Sequence, residues 1–499
     1  MLPVDELIGK AAAITCHSDQ VQPGSIFVAI RGRAADGNNF APAAASKGAL
    51  AVVSDCPQCL PQLPVPVIGV TDARLALAQL ASAFYGHPSR KLKLTGITGS
   101  NGKTTIACML EHIFVQAGLR TGLIGTIRVN TGKGSCPSRL TTPDAVSLQQ
   151  YLAQMLSNKV THAAMEVSAQ GIDMQRVAQV TFAAGILTNV CADHLDFHGG
   201  FAGYLAAKAK FLDLLAPSTP LIVNVADPYC QAIAKPFSGN IISAAVDNPA
   251  DIIANISHLS TYGSAFTLTL TRPLPVSGHR LLAEGDYAVT LGLPGRHNVE
   301  NALLAAAAAL LQGVAPATII QALRSFRGVE RRMNILHASG LTIVDDTALN
   351  PGSIDAVFAA IASFRYSRLI IVNAIRGQRG AAINTANATT IALWRQKLAF
   401  ELIVTASTDQ VTPADTVTGQ EQQAFLSALA AHRLDHTYRA TLAGAVTAAL
   451  EQSLPGDLIV LLGAQGMDNG RQLLSALLKP SASRPCGYDR QSLPVWAGK

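Results

Sequence analysis

The feature that most constrains the fold is the stretch from Lys91 to Thr105, K-L-K-L-T-G-I-T-G-S-N-G-K-T-T. A short apolar run, read as a strand, passes through a Gly/Ser/Asn turn into Ile106 to Phe114, where apolar residues recur at helical spacing. Strand, glycine loop and helix start together make a phosphate cradle. Loop N–H groups converge on the anion, the helix dipole favours it, and Lys103 adds a full charge. Thr104 follows where its hydroxyl can meet a magnesium ion. Gly99, Asn101, Gly102, Lys103, Thr104 and Thr105 are therefore the candidate nucleotide contacts. The general phosphate-loop pattern places glycine six residues before the lysine, where this chain has Ile97, with glycines at Gly96 and Gly99 instead. A glycine-rich turn before lysine also occurs as a plain structural turn, so the rest of the chain has to decide.

Length and composition bound that decision. A chain of 499 residues accommodates roughly two to four domains and a sizeable core. No run of about twenty apolar residues occurs, so a membrane span is not expected. The start, Met1 to Leu7, lacks the basic and apolar segments of a signal peptide, which makes the cytoplasm the expected compartment. Eight cysteines without a dense framework read as reduced thiols. Cys56 and Cys59 form a lone C-x-x-C before Pro61, read as a loop rather than a zinc site. The net charge of +6 is spread along the chain, which fits a binder of small anions and argues against nucleic acid as a partner.

Residues 1–88 read as a small α/β unit, with strands at Gly24 to Ile30 and Ala49 to Val53 and a helix at Phe40 to Lys47. Residues 89–335 carry the phosphate loop and a series of strand ends. At one of them, Thr161 to Met165 leads into Glu166. An unpaired buried charge is costly, so a carboxylate at a buried strand end beside a phosphate loop reads as a magnesium ligand. A second buried strand, Ala183 to Val190, ends in Cys191-Ala192-Asp193-His194-Leu195-Asp196-Phe197-His198-Gly199. Leu140-Thr141-Thr142-Pro143 can start a helix, with Thr142 as its cap. Residues 336–499 alternate strands (Leu341 to Asp346, Leu369 to Val372, Leu402 to Val404, Leu458 to Leu462) with helices. That pattern gives an open, doubly wound parallel sheet with its ligand site at the carboxyl strand ends.

The loop T-G-x-N-G-K-T-T resembles the ATP loop of the Mur ligases, which join amino acids to a peptidoglycan precursor, and of the related folylpolyglutamate and cyanophycin synthetases. The resemblance covers nearly the whole chain in order. It implies a three-domain α/β architecture with a central P-loop ATPase-like domain and a Rossmann-like C-terminal domain. V-Q-P-G-S-I-F-V-A-I-R-G with D-G-N-N-F resembles the N-terminal domain of the ligases that add the third amino acid, where UDP is held. The family's Asp-Ser-Arg is here His17-Ser18-Asp19, so Ser18 keeps the uracil contact while the arginine is gone. Thr141 and Thr142 stand for the threonine pair that grips the muramoyl substrate, and Ser168 and Arg176 for contacts on its pyrophosphate side. His194 stands for the magnesium-binding histidine. Lys208, in Tyr204-Leu205-Ala206-Ala207-Lys208, stands for the lysine whose carbamate helps hold magnesium, against the bland reading of an exposed helical lysine. In G-x-x-N-x-x-N-A, Asn301 is expected near adenine, and Arg332 takes the place of an ATP-contacting arginine.

The resemblance weakens in the last third. D-D-Y-A-H-N-P is here Asp345-Asp346-Thr347-Ala348-Leu349-Asn350-Pro351, so Asp346 remains as an ATP contact while His becomes Leu349. The amino-acid-selecting D-N-P-R is absent, and Ala406-Ser407-Thr408-Asp409-Gln410 stands there. Arg376 and Arg379 are candidates for a replacement cation or are solvated loop arginines, and Asp468 ends the segment that replaces G-K-G-H-E. The implied reaction is ATP- and Mg2+-dependent amide formation by a monomeric chain, with Lys103, Lys208 and His194 as catalytic groups. The substrates would be a UDP-linked muramoyl peptide or similar carboxylate and an amino acid. Two rival readings are a specialised relative that uses a different carboxylate, and a nucleotide-binding protein without ligase activity. The joint presence of Lys103, Glu166, His194 and Lys208 weighs against the second.

Overall fold

The computed structural model describes residues 4–32, 35–193, 198–276 and 280–478. It divides into two compact units, Met1–Met333 with Asn350–Phe364, and Asn334–Leu349 with Arg365–Lys499. Among the described residues no helix is long and apolar enough to cross a membrane.

The first unit begins with a four-stranded parallel sheet, Ala13–Thr15, Ser25–Ala29, Ala51–Ser54 and Val67–Gly69 in that order. The expected helix lies at Ala41–Ser46. Here the reduced-thiol expectation is corrected: Cys56 and Cys59 are disulfide-bonded in the turn after Ala51–Ser54. The pair sits three residues apart on one 3-10 turn, which brings the two sulfurs together. Cys16, Cys108, Cys136, Cys191 and Cys230 are free.

An eleven-stranded sheet follows. Its centre is a parallel block in which Lys93–Thr98 lies between Ala184–Leu187 and His162–Glu166. These strands are buried on both faces, which is why their sequences are continuous Ala/Ile/Leu/Met runs rather than alternating ones. At one end of the sheet Gly263–Leu270 is antiparallel to both of its neighbours, and its burial alternates residue by residue. Two helices cover the same part of the block, Lys103–Gln116 and the alanine-rich Arg296–Leu311. Six consecutive buried small or branched residues, Leu304 to Ala309, let the second lie close against the first. Because the three central strands run the same way, Thr98, Glu166 and Leu187 end at one edge, and the loops after them converge there.

The second unit is a six-stranded sheet in the order Asn334–Ala338, Leu341–Asp346, Leu458–Leu462, Leu369–Ala374, Glu401–Thr405, Thr437–Arg439. Only the first pair is antiparallel. Helix Leu442–Glu451 packs with Gly470–Leu477 on the apolar cluster that contains Ile370, Val372, Ile459 and Leu461. Helix Ala381–Trp394 packs instead with Gly419–Ala431.

Candidate nucleotide and ligase site

The turn after Lys93–Thr98 needs two of its glycines. Gly99 has φ +149° and Gly102 has φ +87°; a Cβ on the first would overlap Thr188 Oγ1, and on the second Asn301 Oδ1. The neighbouring strand end holds the turn from outside. Asn189 accepts from the Ser100 N–H through its carbonyl (2.8 Å) and from the Asn101 N–H through Oδ1 (2.9 Å). Thr188 Oγ1 donates to the Asn101 carbonyl at 2.7 Å. Two loop amides expected to face an anion are thus spent inside the protein. The first helical amide with an intrahelical acceptor is Ile106, which donates to Gly102 O. The amides of the first turn, Lys103 to Thr105, have no intrahelical acceptor and are the donors such a turn can offer an anion.

Lys103, the charge expected of the cradle, turns back onto its own loop. It is half-buried and its Nζ donates to the carbonyls of Gly99 (2.8 Å) and Ser100 (2.9 Å). Burial holds its pKa below the ordinary lysine value, with Glu166 and Asp193 opposing and Arg332 adding to the depression.

Glu166 is 1% exposed, and its carboxylate is fully engaged. Oε2 accepts from Thr104 Oγ1 (2.9 Å) and Thr126 Oγ1 (3.0 Å), and Oε1 from the Thr126 N–H (2.7 Å). A strand-end carboxylate and the first-turn hydroxyl of the phosphate helix thus share one hydrogen bond. This oxygen-only pair is the chemistry a magnesium ion takes. Among the described residues no group of three or more His, Cys, Asp or Glu side chains converges. His194 lies outside the described residues.

Lys208 is not the exposed helical lysine of the bland reading. It is 1% exposed, and its ammonium sits over the Tyr204 ring, 4.4 Å from the centroid. Burial, then the charge of Lys103, push its pKa well below the ordinary value, while Asp193 works the other way. Ser100 Oγ lies 3.0 Å from Tyr204 Oη, linking that helix to the phosphate turn. Asp193 is a site residue that sequence reasoning passed over. Asn350 Nδ2 donates to its Oδ2 (3.1 Å) and to Asn101 Oδ1 (3.1 Å). Nothing next to Asp193 in sequence signals its role, because its partner Asn350 is 157 residues away.

Thr142 does not cap the helix that follows; Asp144 does, accepting from the Val146 and Ser147 amides. Thr142 is fully buried instead. It donates to Glu166 O (3.0 Å), accepts from the Ser168 N–H (3.0 Å), and has its carbonyl bonded by Arg176 Nη1 (2.9 Å). Thr141 Oγ1 is 3.1 Å from Thr126 Oγ1, which ties this group to Glu166. Burial lowers the Arg176 pKa, partly offset by Asp144. Ser18 is half-buried in the turn after Ala13–Thr15, its carbonyl bonded by Lys47 Nζ at 2.7 Å. Arg332 follows Arg331, which has φ +56°, and donates to the Arg331 carbonyl. Thr105 is buried in the first turn of the helix.

The first unit matches the descriptions "Mur ligase family, catalytic domain" over residues 10–85 and "Mur ligase middle domain" over 97–309; "Mur ligase, glutamate ligase domain" matches 331–465. The UDP-N-acetylmuramoyl-L-alanyl-D-glutamate--2,6-diaminopimelate ligase of Bacillus velezensis is 31% identical over 471 residues, covering 92% of this chain and 90% of that one. The chain belongs to the Mur ligase family. By family it is an enzyme, a ligase. The Clostridium botulinum ligase of the same name is 33% identical over 373 residues, 73% of this chain and 74% of that one. Among solved Mur ligases, MurF from Acinetobacter baumannii superposes with a TM-score of 0.68 at 22% identity, covering 95% of this chain and 97% of that one. MurF from Thermotoga maritima in complex with ADP gives 0.62 at 16%, covering 95% and 99%.

In the second unit the remaining expected Mur ligase residues are spread over several strand ends. Asp346 is buried at the end of Leu341–Asp346. Arg376 is buried, not solvated, and donates from Nη1 to Leu349 O at 3.0 Å. Arg379 pairs with Asp415 at 3.6 Å, and Asp468 is exposed.

Proposed function

We propose that this chain is an ATP- and magnesium-dependent ligase that joins an amino acid to the carboxylate of a UDP-linked muramoyl peptide in peptidoglycan precursor synthesis in the cytoplasm. The three-part division 1–88, 89–335 and 336–499 assigns UDP, ATP and the amino acid in turn. The observation that carries the reading is the Thr104–Glu166–Thr126 hydrogen-bond group at the mouth of a glycine-shaped phosphate turn, with Lys208 buried at the same strand-end edge.

In this mechanism a substrate carboxylate takes the γ-phosphoryl group of ATP, an amine attacks the acyl phosphate, and phosphate leaves with formation of the amide. The first-turn amides and Lys103 stabilise charge on the transferred group. Thr104 and Glu166, with His194 and Lys208, would hold magnesium, which when bound offsets phosphate charge. Burial that lowers the Lys208 pKa favours the unprotonated amine, the form that takes up carbon dioxide as a carbamate. Arg176, bonded to Thr142 O, and Ser168 and Thr141 beside it, orient the muramoyl substrate.

The test is phosphate release with the UDP-muramoyl dipeptide and a panel of amino acids. Release that requires both dipeptide and amino acid is expected. Release only with another carboxylate would favour the specialised relative, a reading supported by His17-Ser18-Asp19 and by the absence of an arginine from Ala406 to Gln410. Nucleotide binding without release under any pairing would favour the non-catalytic protein.

A further inference from the structure

Three loops leave the carboxyl ends of adjacent parallel strands in the second unit: after Leu369–Ala374, after Glu401–Thr405 and after Leu458–Leu462. The helices that follow the first and third belong to different layers, since Gly470–Leu477 packs with Leu442–Glu451 and Ala381–Trp394 with Gly419–Ala431. In an open parallel sheet such a divergence leaves a crevice where ligands bind.

Ser407 stands where the three loops meet. A Cβ placed on Gly466 would lie 3.1 Å from Ser407 Oγ and 3.3 Å from the Ala374 side chain. Ser407 is fully buried, its φ is +52°, and its Oγ has no hydrogen-bond partner among the described residues. A left-handed backbone at a residue other than glycine and a buried hydroxyl without a partner both cost free energy. The surroundings explain the backbone but leave the hydroxyl unused. The Ser407 N–H donates to Thr405 Oγ1 at 2.9 Å, and its carbonyl accepts from the Gln410 N–H at 2.9 Å.

The residues described around it, Thr405, Gln410 and Ala374, are uncharged. Gln410 Oε1 accepts from Asn469 Nδ2 at 2.8 Å, bridging the second and third loops next to Ser407. Each charged side chain on these loops has a partner, although Arg376 Nε is buried without a hydrogen bond of its own among the described residues. Asp409 accepts from the Leu442 and Ala443 amides, Arg376 donates to Leu349 O, Arg379 pairs with Asp415, and Asp468 has a partner too.

We propose that Ser407 is the specificity-determining residue of a subsite, between these loops, for the uncharged hydrogen-bonding end of the incoming amino acid, a hydroxyl or a carboxamide. This rests on the ligase reading. Parting of the Gln410–Asn469 bridge admits the ligand, and the Ser407 hydroxyl makes the hydrogen bond it lacks in the closed loops. A site that pairs a buried hydroxyl with a ligand group discriminates strongly against the analogue without that group.

The experiment compares the full chain with its Ser407→Ala variant, a change that keeps Cβ and removes only the hydroxyl. Phosphate release is measured with L-glutamine, L-homoserine, their alkyl counterpart L-norleucine, L-lysine and diaminopimelate. The expected result is that the parent prefers glutamine or homoserine to norleucine by tenfold or more in kcat/KM. In the variant that ratio should collapse toward one through a rise in KM, with the KM for ATP unmoved. A parent that prefers diaminopimelate or lysine, or a variant that keeps the ratio, overturns the proposal. Calorimetric titration of both proteins with L-glutamine and L-homoserine separates this from failure of the ligase reading. Binding to the parent that is lost in the variant supports the subsite even without turnover, and equal binding or none to the parent refutes it.

Discussion

The phosphate turn of the first unit and the strand-end loops of the second share one construction, a parallel strand, a loop and a helix, yet they treat polar groups in opposite ways. Around Gly99 to Thr105 the buried side chains are paired apart from Thr98 Oγ1: Asn189 and Thr188 hold the turn, and Glu166 accepts three hydrogen bonds. At the second unit's edge Asn373 Nδ2, Asn387 Oδ1 and Ser407 Oγ are buried without partners among the described residues. A paired network fixes one geometry before a ligand arrives, whereas unpaired groups are completed by one. On the proposed ligase reading, the first site takes a ligand part that never varies, a phosphate chain. The second is where a family can change what it selects.

The largest effect is expected where the paired network meets charge development. Lys103→Ala should lower ligation by about 10³-fold, because the cation that stabilises the transferred phosphoryl group is lost. The fold should stay cooperative, since only the Gly99 and Ser100 carbonyls lose a donor, a change of about 1 kcal/mol. Turnover near the parent's at saturating ATP, with an unchanged melting curve, would remove the phosphate-loop assignment.

Lys208→Ala tests whether the buried lysine acts as an anion. A second cation beside magnesium is repelled, so the alanine variant should be nearly inactive and regain part of its rate in short-chain carboxylates. The loss is expected to be about 10²-fold or more. Full activity in the variant, or no response to added carboxylate while nucleotide binding persists, counts against the carbamate.

What the sequence discloses follows from how local the interactions are. The cradle reads directly because strand, glycines, lysine and threonine lie within fifteen residues, Lys91 to Thr105. Glu166 was legible because a carboxylate in a buried strand demands an explanation. The partners that hold the cradle were not, since Asn101 meets Asn189 across 88 residues and Asn350 across 249. The helix after Pro351 belongs to the first unit although the strands flanking it in sequence belong to the second, and no periodicity reports that crossing. Ala406 to Gln410 was singled out as the segment standing where D-N-P-R is absent, but Ser407 within it gave no signal of its own. Its orphaned hydroxyl and left-handed backbone exist only once three loops converge.

Glu421 sharpens the comparison by showing that the second unit can pair its buried groups elsewhere. Its carboxylate accepts from the amides of Gln378 (3.1 Å), Arg379 (2.7 Å), Gly380 (2.7 Å) and Thr418 (2.9 Å). Burial pushes its pKa up, but these donors outweigh burial and hold it below the ordinary carboxylate value. With the folded pKa depressed, the stabilisation is complete above the unfolded value of about 4.3 and is lost as pH falls through the folded one. Glu421→Gln should therefore cost about 2–3 kcal/mol at pH 7 and much less near pH 3. Urea unfolding of both proteins at the two pH values checks this; an equal cost at both would mean that shape rather than charge matters.

The smallest effect belongs to Arg379, and it decides between two uses of the loop after Leu369–Ala374. Its guanidinium donates to the Gln378 carbonyl at 2.9 Å and lies 3.6 Å from Asp415 Oδ1, both side chains being partly open to water, at 30% and 23%. A pair with that exposure contributes about 0–1 kcal/mol and weakens with salt. Arg379→Ala should then shift stability by less than about 1 kcal/mol, by still less in 0.5 M salt, where screening acts within about 4–5 Å. If the incoming amino acid is uncharged at its far end, the KM for glutamine or homoserine should also stay within about twofold, since no ligand charge waits for the guanidinium. If Arg379 is instead the replacement cation for a distal carboxylate, the KM for an acidic amino acid should rise by tenfold or more in the variant, the loss of one charge-assisted contact. That second outcome would move the selecting contact from Ser407 to the start of helix Ala381–Trp394, and the orphaned hydroxyl would then need a different ligand group.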